Sequence, residues 1–134
     1  ARAFSTALKV YHCPELDGWP SNKTVYRASV GPHSFLLPTE PRPLATITDD
    51  RKTNLALIEV DEPNAAPWMA PVDADEAMIL SLGPDSKLVH PGGFHMATAD
   101  QSVIFASPGL PPAVRRAINS VDGGEAVSRD QVIH

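Results

Sequence analysis

Apolar and polar positions alternate or recur clearly in only a few stretches of this chain. Residues 53–60, Thr53-Asn54-Leu55-Ala56-Leu57-Ile58-Glu59-Val60, contain an unbroken apolar run, which predicts a strand buried on both faces. Val25-Tyr26-Arg27-Ala28-Ser29-Val30 alternates and is rich in β-formers, predicting a second strand that Gly31-Pro32-His33 breaks. Residues 94–99 and 102–106 flank Asp100-Gln101 and predict a β-hairpin. Downstream, Leu110, Val114, Ala117 and Ile118 form one apolar stripe at helical spacing, with Arg115 and Arg116 off it. Pro111-Pro112 suits the first turn of that helix, and Gly123-Gly124 closes the region. Residues 73–82 predict a short helix or an irregular arm, with Asp73, Asp75 and Glu76 near its N-terminal end. Phe4, Ala7 and Leu8 predict the tail of a helix over residues 2–9, ended by Cys13-Pro14.

Composition changes this picture mainly through proline, with 14 in 134 residues against 8 glycines. Proline blocks helix interiors and central strands, so the elements are short and ordered loops join them. Residues 34–45 read as such a loop, with Phe35 and Leu37 turned inward, and residues 63–71 as another, centred on Trp68. The length fits one domain, residues 1–134, of α+β class: a small antiparallel sheet with short helices and proline-rich loops. The net charge of −5 argues against nucleic acid as a partner, and Arg51-Lys52 and Arg115-Arg116 read as solvated faces. No apolar run reaches the ~18 residues of a membrane span.

Candidate chemistry centres on His90-Pro91-Gly92-Gly93 and Asp100. Ten extended residues would separate His90 and Asp100 by ~33 Å, but the Pro-Gly-Gly bend permits a direct pair. The alternative has Asp100 folding the turn through its side chain and His90 capping a backbone carbonyl. Gln101 stands where a two-residue turn wants glycine, so either the turn changes type or the hairpin carries strain. Five histidines (His12, His33, His90, His95, His134) raise the question of a metal, yet no His-x3-His or Cys-x2-Cys spacing occurs. His90, His95 and Asp100 form one candidate set. Asp49, Asp50, Asp73, Asp75 and Glu76 form a candidate calcium set, without the glycine and terminal glutamate of an EF-hand. The expectation is no cofactor, with calcium as the alternative. Cys13 reads as a small buried hydrophobe, since a Cys–His pair would need a histidine other than the adjacent His12. Glu59 reads as a strand-end residue that reaches solvent or pairs with Arg27.

Several segments, in order, resemble a planctomycete-type, prepilin-associated family marked by a His-(nine residues)-Asp-Gly box. They are Tyr11-His12-Cys13-Pro14; Tyr26-Arg27-Ala28-Ser29-Val30-Gly31-Pro32; residues 47–54; Leu57-Ile58-Glu59-Val60; Ala66-Pro67-Trp68-Met69-Ala70-Pro71; His90 through Asp100 with Val103-Ile104-Phe105; and residues 112–125. The resemblance covers about residues 11–125, with departures at Asp50, Arg51-Lys52 and Gln101. It implies a pilin-like head domain of a pseudopilin-like protein related to type II secretion and type IV pili. The family's hydrophobic N-terminal helix, cleaved and methylated in full-length members, is missing from this chain. The implied role is structural or assembly-related and not enzymatic, with His90, Gly92, Gly93 and Asp100 as motif residues. The resemblance also implies an extracytoplasmic place, membrane anchoring of the full-length form, secretion-system partners and self-association through the missing helix. Two other readings are an exported ligand- or metal-binding module around Trp19, Trp68 and the hairpin, and an enzyme using His90, His95 and Asp100.

Overall fold

A computed structural model describes residues 2–133. The fold is α+β. Strands β1 (Lys23–Thr24) and β4 (Ala66–Pro67) pair in a small antiparallel ribbon. Strands β2 (Tyr26–Ala28), β3 (Leu55–Glu59), β5 (Phe94–Thr98) and β6 (Val103–Ala106) form a four-stranded antiparallel sheet in the order β2-β3-β5-β6. Helices α1 (Glu76–Ser81) and α2 (Pro112–Asn119) pack on each other, and α2 lies against β3. A last turn, α3 (Arg129–Val132), follows a Ser128 capping box. No helix among the described residues is long and apolar enough to cross a membrane.

The core lies between the sheet and the helices. Phe94, Met96, Ile58, Ile104, Ile79, Leu82 and Ile118 are all buried in it. In β5 the alternation is complete: Phe94, Met96 and Thr98 are buried, while His95 and Ala97 are only half-buried. Asp75 caps α1 by accepting a hydrogen bond from the Met78 N–H at 2.8 Å.

Several expectations need correction. Residues 2–9 are not helical; a turn there leads into a 3-10 turn at Lys9–Tyr11. The apolar run of β3 is not buried on both faces, because Leu57 is 48% exposed. Arg115 is not solvated: α2 presses it inward, where it donates to the carbonyls of Leu80 and Pro108. Helix α2 also stops at Asn119, before Gly123-Gly124. His134 lies outside the described residues.

Candidate functional site

The two ends of the β5–β6 hairpin are built differently. At its entrance, His90-Pro91-Gly92-Gly93 makes a tight turn in which the Gly93 N–H faces the His90 carbonyl at 3.5 Å and Gly92 has φ +81°. Proline second and a positive-φ glycine third are what a type II turn demands. Gly93 is needed for another reason: a Cβ there would meet the Ala106 carbonyl oxygen at 2.5 Å and the Phe105 ring at 2.7 Å. The turn folds His90 back beside β5, where its ring meets His95 edge-on at a centroid distance of 4.7 Å.

His90 does not pair with Asp100. Its Nε2 lies 3.2 Å from Glu59 Oε1 and 3.3 Å from Cys13 Sγ. The other carboxylate oxygen, Glu59 Oε2, accepts the His95 backbone N–H at 2.7 Å and faces His95 Nδ1 at 2.9 Å. Glu59 sits on the face of β3 that carries the exposed Leu57, yet it is only 3% exposed, and Cys13 is fully buried. The histidines and the Cys13 segment shield this carboxylate. A buried carboxylate needs such partners, because leaving it unpaired costs several kcal/mol or more. Tyr26 stands opposite Glu59 in the β2–β3 register. Its hydroxyl pKa is pushed up to about 12 by burial, by the nearby Cys13 and Glu59 charges and by a hydrogen bond with Cys13.

Asp100 occupies the far end of β5, a strand roughly 17 Å long at ~3.3 Å per residue. Its Oδ1 accepts hydrogen bonds from Thr98 Oγ1 at 2.5 Å, Ser102 Oγ at 2.6 Å and the Ser102 N–H at 3.1 Å. Hydrogen bonds from Ser102 and Thr98, aided by the charge of Arg129, lower its pKa to about 2. The turn does change type: Gln101 N–H donates to the Thr98 carbonyl, Thr98 N–H donates to the Ser102 carbonyl, and Gln101 alone takes positive φ, at 70°. That is a three-residue loop ending in a left-handed bulge position.

The acidic residues considered for calcium have separate duties. Asp49 accepts the Gly123 and Gly124 N–H groups, Asp50 accepts the Lys52 N–H, Asp75 caps α1, and Glu76 pairs with Arg116. Asp73 is exposed, and its charge acts on Arg27. Among the described residues, the one set of His, Cys, Asp or Glu ligand atoms that converges is Cys13, Glu59 and His90, all within 4.8 Å of one another. Sequence reasoning placed Glu59 at the solvent or on Arg27; instead Arg27 donates to the Asn64 carbonyl. The overlooked signal was a glutamate held inside an otherwise apolar strand, with Val60 buried directly after it.

Trp19 is 45% exposed and lines a cleft of about 530 Å³ with Lys9, Val10, His12 and Pro14. Trp68 is half-buried, stacks on Tyr11 at 5.1 Å and donates its Nε1–H to the Thr6 carbonyl at 2.8 Å.

No family model matches the chain, and searches of curated proteins and of solved structures return no match.

Proposed function

We propose that this chain is the exported head domain of a pseudopilin-like assembly protein. Its full-length form would be anchored through a hydrophobic N-terminal helix and would work with secretion-system partners. One observation carries the reading: the sequence-distant segments that bear the family resemblance meet at one junction. The Cys-Pro segment supplies Cys13, the tyrosine strand supplies Tyr26, the third strand supplies Glu59, and the box supplies His90 and His95. Residues that recur together for the sake of a fold are expected to touch, and Cys13 and His90 touch across 77 positions. A domain that presents loops from a filament or scaffold needs such a rigid head. The enzyme reading requires His90, His95 and Asp100 in one place, and Asp100 is engaged with Thr98 and Ser102 instead.

The test is mass spectrometry of the mature N-terminus of the full gene product from its native cells. The expected result is a processed, N-methylated hydrophobic terminus on a protein recovered with inner-membrane pseudopilin-like partners. An unprocessed, unmethylated terminus on a protein free of such partners overturns the reading.

A second reading, an exported binding module, is favoured by the exposed Trp19 ring at its cleft. It requires a ligand that shields Trp19 from an aqueous fluorescence quencher.

A further inference from the structure

We propose that Cys13, Glu59 and His90 form a zinc site, with water completing the coordination and His95 holding the glutamate in place. This goes beyond the assembly role and does not depend on it.

The geometry points to an ion. A single ring nitrogen, His90 Nε2, faces both Cys13 Sγ at 3.3 Å and Glu59 Oε1 at 3.2 Å. One nitrogen offers one N–H or one lone pair, so it cannot give each partner a full hydrogen bond. One cation among the three atoms satisfies them all. Tetrahedral zinc, with bonds of about 2.3 Å to sulfur and about 2.0–2.2 Å to nitrogen and oxygen, sets its ligand atoms about 3.3–3.6 Å apart. The separations of 3.3 and 3.2 Å about His90 Nε2 fall within a few tenths of an ångström of that spacing, and all three atoms lie within 4.8 Å of one another.

The donor set selects the metal. One sulfur, one imidazole nitrogen and one carboxylate oxygen suit a borderline-soft ion, whereas calcium takes six to eight oxygens. Binding needs the thiolate, so the Cys13 thiol gives its proton to solvent as the sulfur–zinc bond forms. Thiolate and carboxylate then neutralise the two positive charges, leaving a buried site with no net charge. The carboxylate of Glu59 is already aimed for coordination. Its Oε2 is held by the His95 N–H at 2.7 Å and by His95 Nδ1 at 2.9 Å, and Oε1 points at His90. A histidine that fixes a ligand carboxylate in this way is an outer-shell partner. The His90 side chain keeps 22% of its surface exposed, which gives the ion and its water a way in.

Cobalt(II) titration of the whole chain under a non-thiol reductant tests the site. The expected spectrum has a near-ultraviolet thiolate-to-cobalt charge-transfer band and visible bands of four-coordinate cobalt, both abolished by one equivalent of zinc. Cys13→Ser removes the charge-transfer band. His90→Ala weakens zinc binding more than about 100-fold, beyond the roughly 10–100-fold expected for the positioning variant His95→Ala. His33→Ala, at a surface histidine paired with Asp122, leaves binding unchanged. X-ray absorption of the zinc-loaded wild type is independent of any variant's folding, and one sulfur at about 2.3 Å is expected. A wild type with no charge-transfer band, a zinc shell without sulfur, or tight binding that survives in folded His90→Ala overturns the proposal.

Discussion

The hairpin that begins at His90 has two ends of opposite character. At the Asp100 end the carboxylate is served locally, by Thr98 and Ser102, while Arg129 reaches Ser102 Oγ and the Ala99 and Asp100 N–H groups donate to the Asn54 and Arg51 carbonyls. The His90 end is long-range, gathering Cys13 and Glu59 from 77 and 31 positions away. An exposed carboxylate such as that of Asp100 settles its hydrogen bonds among near neighbours and with water. A buried carboxylate cannot, so its partners have to come from elsewhere in the fold. The two ends of one motif therefore answer to different physics, and substitutions separate them.

The largest effect is expected at Gly93. Gly93→Ala drives a Cβ to within 2.5 Å of the Ala106 carbonyl, a backbone atom that has little room to give. A loss of about 3 kcal/mol in urea unfolding is expected; a loss below about 1 kcal/mol would mean that the two strands separate easily at this end. Next is Glu59→Ala, which strands the His95 N–H and the two facing rings without an acceptor. About 2–3 kcal/mol is expected, read by the same unfolding curves. If Glu59→Leu proves as stable as wild type, the junction serves ligand binding and not stability.

The turn end should respond weakly and in the other direction. Gln101→Gly removes the penalty of a left-handed non-glycine residue at φ 70°. It should raise stability by about 1 kcal/mol, visible as a higher melting temperature. The smallest effect is the pH dependence of Asp100. Its pKa, lowered from 3.8 to about 2, gives stability that is present above pH 4 and lost as pH falls through 2. Asp100→Asn should flatten the acid limb of the stability curve between those values. An unchanged acid limb would show that Ser102 and Thr98 do not favour the ionised carboxyl.

This contrast also marks what the sequence makes legible. The hairpin, β3, the helix after Pro111-Pro112 and the capped turn near Asp75 rest on periodicity and on neighbours within four residues, and they are seen close to where the pattern puts them. Asp100 as a turn-forming side chain follows from the same local chemistry. Glu59, Cys13 and Arg115 are different. Their environments depend on which remote segment covers them, and no short-range period records that. Arg115 lies off the apolar stripe of α2 and is nevertheless buried, because two carbonyls from outside the helix receive its guanidinium. The 2–9 segment has helical spacing but too few residues to offset the cost of nucleating a helix without a packed partner.

The stacking of Trp68 on Tyr11, with its indole N–H on the Thr6 carbonyl, gives the molecule an optical clock. In a Trp19→Phe background, the fluorescence of the remaining indole reports when the N-terminal arm lifts off the domain. If the arm detaches ahead of the sheet, that signal changes first in a stopped-flow denaturation trace and the far-ultraviolet dichroism follows. If both signals move together, the arm that carries Cys13 and the strand that carries Glu59 come apart as one cooperative unit.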